Sequence, residues 1–143
     1  FVASAEDARY RIGLAQGFLE EARQDVGLRR WRSCVDNSQL ATENAGKAVL
    51  ALLGPVGRSH DPAALLRQAL DANRFSPARA PSVTRLAELT AELGWTVHAA
   101  SDYGDEDGRL TPWEIFDERA AKQALGVAEE ADSIAQGIVE RSK

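Results

Sequence analysis

The sequence predicts an all-α protein: an antiparallel, up-and-down bundle of four to five helices that forms a single domain over residues 1–143. Apolar residues recur every three or four positions over long stretches, which is the period of an amphipathic helix. No stretch alternates apolar and polar residues, and β-branched residues do not cluster, so we predict no strand. The predicted loops are short, as in bundles whose neighbouring helices pack side by side.

The first two predicted helices cover residues 4–27 and 31–52. Ser4 and Asp7 have the spacing of a capping pair at the start of the first helix. The apolar face of the second helix is rich in alanine, and a Gly-Pro pair at 54–55 ends it. Because small residues let helix axes approach closely, we expect this helix at the centre of the bundle or on a face shared with a second copy.

Three further helices are predicted in the second half of the chain. An Asp-Pro pair at 61–62 starts a short third helix, because Asp can cap and Pro suits the first helical position. Ser82 caps a fourth helix whose apolar line extends to Ala100. A capping box that begins at Thr111 opens the last helix, which reaches about Ser142, and Asp117 offers a restart after a short first turn.

Composition narrows the class of protein. The 17 basic and 22 acidic side chains give a net charge of −5, which disfavours broad attraction to phosphate backbones. Cys34 is the only cysteine and cannot form an internal disulfide, and no apolar run is long enough to span a membrane. The start of the chain lacks the layout of a signal peptide. We expect a cytoplasmic protein without membrane contact and, since the chain has no methionine, an initiator or short leader before Phe1.

Glu43 and Lys47 lie one helical turn apart, in the order that favours an ion pair. On a helix surface such a pair is worth about 0.3–0.5 kcal/mol. From the residues alone, a surface ion pair is their predicted role.

The loop GPVGRSHDP at 54–62 could hold a phosphate. It places Arg58 and His60 before a helix start, where free backbone amides attract anions. The spacing of a Walker loop is absent, and Asp61 at the expected cap would repel an anion. The alternative is a simple turn between helices in which His60 forms a local hydrogen bond.

The acidic loop SDYGDEDGRL at 101–110 has part of the spacing of an EF-hand calcium loop. Counted from Tyr103, three acidic residues fall on positions three, five and twelve of that loop: Asp105, Asp107 and Glu114. The first position should be Asp, and the capping box uses Glu114 to start a helix. We expect no metal, and because metalloprotease, di-iron and nucleophile-elbow motifs are absent, we assign no catalytic residue and no cofactor.

The segment RRWR at 29–32 is the only basic cluster that contains an aromatic residue. Such a cluster could stack on and neutralise a short single strand. We favour a turn between the first two helices in which Trp31 closes one end of the core. His98 is expected to be half-buried and locally hydrogen bonded, and Cys34 to be a small core or interface residue.

The stretch SQLATENAGKAVLALLGPVGRSHDPAALL (38–66) and the later stretch DYGDEDGRLTPWEIFDERAAKQAL (102–125) together resemble the HEPN family, the higher eukaryotes and prokaryotes nucleotide-binding domains. The shared pattern is an E-x-x-x-K pair before an apolar run, a glycine loop that ends in a histidine, and a loop with a tyrosine and acidic residues. A Pro-started turn and an Ala-rich last helix follow. Each element alone is common, so the resemblance depends on their order and spacing.

The resemblance implies a bundle that pairs as a homodimer. It also implies binding of a nucleotide or RNA end, of a minimal nucleotidyltransferase partner, or of both, as in a toxin–antitoxin pair. The anion-side contacts would then be Lys47, Arg58 and His60, and the opposite wall would be Asp102 and Tyr103.

Some branches of this family are metal-independent ribonucleases with an arginine four to six residues ahead of a histidine. Neither His60 nor His98 has an arginine at that spacing, and Arg58 is only two residues from His60. Asp102 stands where many relatives have an arginine before the loop tyrosine. A ribonuclease with a non-standard Arg58 and His60 pair and a purely structural dimer are therefore the alternatives to a binding module.

Overall fold

The computed structural model describes residues 2–58 and 61–142. Within these ranges the helices are α1 (Val2–Gly27), α2 (Trp31–Ala51), α3 (Pro62–Asp71), α4 (Ala80–Glu92), α5 (Trp95–Tyr103), α6 (Pro112–Ile115) and α7 (Glu118–Glu140). The described residues form no strand, and one isolated β-bridge joins Asp105 to Leu110. The predicted all-α fold class is confirmed.

The central helix is α2, as predicted, and it contacts each of the other six helices. Toward α1 and α7 it presents alanines that are fully buried. Ala41 packs with Leu19 of α1 and Ala128 of α7. Ala48 packs nearby with residues of the same two helices. Small side chains at these contacts let the three long helices lie close together.

Two predicted helix starts are wrong. Ser4 lies inside α1, which begins at Val2, so it does not cap that helix. Ser82 lies inside α4, which begins at Ala80. Pro81 occupies the first turn of α4, where a missing N–H costs no hydrogen bond, so the helix starts ahead of the serine.

The predicted fourth helix is two helices, because the chain bends at Gly94. This glycine is extended, with φ −87° and ψ −155°, and forms the N-cap of α5. A Cβ atom there would lie 3.3 Å from the carbonyl oxygen of Ala91, which is a tight approach. The bend lets α5 pack against α2 and brings the polar residues of α5 next to that helix.

Two other predicted helix starts are confirmed. The Asp61 carboxylate accepts a hydrogen bond from the Ala64 amide at 3.2 Å, and proline follows in the first turn of α3. Thr111 and Glu114 form the predicted capping box, but it opens only the four-residue α6, and the last helix α7 restarts with Asp117 as its N-cap. No helix in the described ranges is both long enough and apolar enough to cross a membrane.

Candidate functional site

One face of α2 is polar along most of its length. Five residues follow one another on it at intervals of three or four positions, which places their side chains on one side of the helix: Arg32, Asp36, Gln39, Glu43 and Lys47. We call this set the polar row. Its first three members lie against α5, where Arg32 donates a hydrogen bond of 2.9 Å to the Ser101 carbonyl oxygen.

A group of titratable residues lies where α5 meets the polar row. Asp36, His98 and Asp102, which we call the Asp–His cluster, each offer a ligand-type atom within 4.8 Å of the other two. The Ser101 hydroxyl donates to Asp36 at 3.1 Å. His98 is half-buried, as expected. Its Nδ1 atom lies 3.1 Å from Oε1 of Gln39, which is on α2.

The electrostatics of the Asp–His cluster centre on Asp36. Burial raises the pKa of this carboxyl group, and the negative charge of Asp102 raises it further, against the opposing effects of Ser101, Arg32 and His98. The Nη1 atom of Arg32 lies 3.8 Å from a carboxylate oxygen of each aspartate. One guanidinium group therefore interacts with two carboxylates.

A cleft opens at the other side of Arg32, where the α1–α2 turn meets α6. Its volume is about 360 Å³, and its walls are Arg29, Arg30, Trp31, Arg32, Ser33, Trp113 and Phe116. We call it the arginine–tryptophan cleft. The guanidinium of Arg29 lies 6.0 Å from the ring centre of Trp31, and that of Arg32 lies 5.8 Å from the ring centre of Trp113. Both distances are in the range of cation–π contacts.

Asp25, near the end of α1, stabilises the turn that forms one wall of this cleft. Its backbone oxygen accepts the Arg30 amide at 2.8 Å, and its buried carboxylate accepts hydrogen bonds of 2.8 Å from Ser33 and Asn37. Arg29 has a φ of 59°, the left-handed conformation with which many helices end. The turn therefore places four consecutive cationic or aromatic side chains, residues 29–32, at the N-terminal end of α2.

Charge in the cleft is positive and only partly neutralised. Arg32 pairs with two aspartates, as described above. Arg29 and Arg30 are exposed, and neither forms an ion pair with a carboxylate in residues 2–58 and 61–142. Trp113 is 72% exposed, so one ring face is accessible to solvent.

A second cavity, of about 440 Å³, lies between α2, α3, α4 and the start of α5. Two acids, Glu43 and Asp61, are among its lining residues, together with Arg67 and Trp95. Acidic walls disfavour a phosphate. Compared with this cavity, the arginine–tryptophan cleft is the better anion site.

Among the four predicted site residues that the structure describes, Lys47 and Asp102 do not lie together. Lys47 is buried and donates to Glu43 at 3.4 Å, so the expected ion pair forms, but the prediction that it lies on the surface is wrong. Asp102 pairs with Arg32, fifteen positions earlier on α2 than Lys47, or about 22 Å along the helix axis. Arg58 is exposed.

Tyr103 and His60 complete the predicted set. Tyr103 is 71% exposed at the end of α5. His60 lies outside the described residues. The nucleotide site assigned to these five residues stays a prediction.

Sequence reasoning missed the role of Trp113. Its capping box was recognised, but nothing local indicates that the first turn of α6 lies over the start of α2. The predicted role of the RRWR segment is confirmed: Arg29 and Arg30 lie in the turn before α2, and Trp31 packs against the core. Cys34 is in the core as expected, and burial raises the pKa of its thiol.

Comparisons with known proteins agree on the fold. The model of the HEPN domain family matches residues 8–135. The crystal structure of TT1696 from Thermus thermophilus is similar, with a TM-score of 0.63 and 17% sequence identity over 92% of this chain and 97% of that chain. At that identity the likeness shows the fold alone. No curated protein matches the chain.

Proposed function

Because this chain belongs to the HEPN family, we propose that it is a binding module that takes a nucleotide or the phosphorylated end of an RNA in the arginine–tryptophan cleft. The observation on which this proposal rests is the position of two arginines without carboxylate partners among the described residues, beside a largely exposed tryptophan.

The two arginines suit a phosphate. A guanidinium group presents a planar fork of donors that matches two phosphate oxygens. Arg29 and Arg30 are adjacent and exposed, so both can turn toward one terminal phosphate. Arg32 lies on the inner wall, where it stays bonded to Ser101 and paired with Asp36 and Asp102, so the free positive charge comes from Arg29 and Arg30.

The tryptophan suits a base. An exposed indole face can stack on any nucleobase, which is worth about 1–3 kcal/mol per base. Arg32 lies against the Trp113 ring and restrains it. The volume of about 360 Å³ is near the lower limit for small-molecule sites, so it fits one nucleotide rather than a duplex.

The net charge of −5 limits attraction of a nucleic acid to the cleft itself. The surface as a whole repels a polyanion, so binding depends on the cleft. If two phosphate charges are neutralised on a single strand, the logarithm of the association constant falls with the logarithm of salt concentration with a slope of about −1.4.

Other parts of the proposal do not rest on the cleft. We include a homodimer and a nucleotidyltransferase partner, which the family implies, and a cytoplasmic location, which composition predicts. The cleft lies within one chain, and its test does not depend on any of these.

The test is isothermal titration with ATP and with a short 5′-phosphorylated RNA. We expect saturable binding that Trp113→Ala and Arg30→Gln each weaken by about tenfold, equivalent to about 1.4 kcal/mol. The matched controls are Trp95→Ala, a tryptophan that is 61% exposed but lies in the second cavity, and Arg119→Gln on α7. Absence of binding by a folded sample would contradict the proposal, and so would equal losses in the controls.

A further inference from the structure

We propose that the Asp–His cluster binds a divalent transition-metal cation through one imidazole nitrogen and two carboxylate oxygens. Asp36 comes from α2, and His98 and Asp102 come from one face of α5. One atom from each of the three lies within 4.8 Å of the others. This site is separate from the arginine–tryptophan cleft, and Arg32 lies between the two.

The ligand types select the class of cation. Imidazole suits zinc and other later first-row ions, whereas carboxylate oxygens accept these ions as well as harder ones. Three protein ligands with an open position are the pattern of solvent-accessible zinc sites. A set of one histidine and two aspartates therefore favours Zn²⁺, with Mn²⁺ as the weaker competitor.

The distances require little rearrangement. Two ligand atoms that are each about 2.1 Å from a tetrahedral zinc ion lie about 3.4 Å apart. The Nε2 atom of His98 is already 3.8 Å from Oδ2 of Asp102. Since the whole set lies within 4.8 Å, side-chain rotations that shorten the longest separation by up to about 1.4 Å would complete the site.

A second contact orients the histidine. The Nδ1 atom of His98 lies 3.1 Å from the Gln39 side-chain oxygen. Gln39 is only 2% exposed, so its side chain is buried between α2 and α5. When Nδ1 donates to that oxygen, the lone pair of the neutral ring is on Nε2, toward Asp102. Histidine ligands in metal sites are oriented by this kind of second hydrogen bond.

Arg32 is the competing cation in this site. It lies 3.8 Å from a carboxylate oxygen of both aspartates and balances one of their two negative charges. A divalent ion has to share these oxygens with the guanidinium. Removing the arginine charge should therefore strengthen metal binding, which distinguishes a metal site from an ordinary ion-pair network.

The experiment is a calorimetric titration of the full chain with Zn²⁺ alone, without nucleotide. We expect one saturable site per chain, at least tenfold weaker binding in Asp102→Asn, and several-fold tighter binding in Arg32→Gln. Asp107→Asn, in the exposed loop after α5, is the matched control and should bind as the wild type does. The Asp102 variant changes a partly exposed side chain, so its fold can be verified by circular dichroism.

Two results would overturn the inference. One is no saturable heat with Zn²⁺ in the wild type. The other is wild-type affinity in either Asp102→Asn or Arg32→Gln, which would place any bound ion elsewhere on the chain. Nucleotide binding is measured separately, so failure of one proposal leaves the other to its own test.

Discussion

The two faces of α2 differ in how they are packed. Toward α1 and α7 the helix presents alanines such as Ala41, Ala45 and Ala48, each 0% exposed, and the contact consists of closely packed apolar atoms. Toward α3 and α5 it presents the polar row: Arg32, Asp36 and Gln39 bond to α5, and Lys47 pairs with Glu43 on α2 itself. The same helix therefore stabilises the bundle with one face and supplies the site residues with the other.

The largest effect is expected on the polar face, at Glu43. Its carboxylate accepts from Lys47 at 3.4 Å, and the two side chains are only 11% and 10% exposed. Glu43→Gln leaves a buried ammonium group without its charge partner, which typically costs about 3 kcal/mol. Urea unfolding should show this loss, and the additional substitution Lys47→Met should restore most of it because no buried charge remains.

An exposed pair provides the control for that prediction. Lys122 and Glu118 have the same 3.4 Å separation and the same spacing, but their side chains are 59% and 52% exposed. Glu118→Gln should cost no more than about 0.5 kcal/mol, and less in high salt. Equal losses at Glu43 and Glu118 would show that burial does not set the strength of the Glu43–Lys47 contact.

A smaller loss is expected on the apolar face, at Ala45. This residue is fully buried in the main core, so a larger side chain has no space. Ala45→Leu should reduce the free energy of unfolding by about 2 kcal/mol through overpacking. Ala91→Leu, at an exposed position of α4, should leave the urea midpoint nearly unchanged. A tolerated leucine at Ala45 would mean that the three long helices pack less tightly than described.

The smallest effect is expected at Asp132, a polar group on α7, which packs against the apolar face. Asp25 and Asp132 are both 6% exposed, but Asp25 accepts two side-chain hydrogen bonds. Asp132 accepts one from Gln136, and its Oδ1 atom has no hydrogen-bond partner among the described residues. Burial raises the pKa of the Asp132 carboxyl group.

A raised carboxyl pKa means that the folded state prefers the protonated form. The penalty for ionisation is absent below the ordinary pKa of an aspartate, grows as the pH rises toward the raised value, and is complete above it. Asp132→Asn should therefore stabilise the protein by about 1 kcal/mol at pH 7 and by less at pH 4. Asp25→Asn should destabilise it, as judged by urea midpoints at both pH values. Destabilisation by Asp132→Asn would contradict this reasoning.

Local signals made much of the fold predictable. The capping box at Thr111 and the Asp-Pro start of α3 depend on residues adjacent in sequence, and the alanine period of α2 identified the central helix. The bend at Gly94 was missed because the apolar period continues through it to Val97. A single glycine within a periodic segment does not by itself indicate that one helix ends there and another begins.

The site was less predictable because its contacts are long-range. Spacing showed that Glu43 and Lys47 would pair, but burial of the pair depends on other helices. The contact of Arg32 with Trp113 joins two segments that are distant in sequence. His98 was expected to bond locally; it faces Asp102 on its own helix, but its Nδ1 atom also contacts Gln39 on α2, which spacing could not predict.

The most direct test of the proposed function uses the indole N–H signals of the three tryptophans. In a nitrogen-15 NMR titration with a short 5′-phosphorylated RNA, the cleft predicts saturable shifts of the Trp113 signal, assigned with Trp113→Phe, and no shift of the Trp95 signal. Shifts confined to Trp95 would place the ligand in the second cavity, and no shift of any indole signal would contradict nucleotide binding at the cleft.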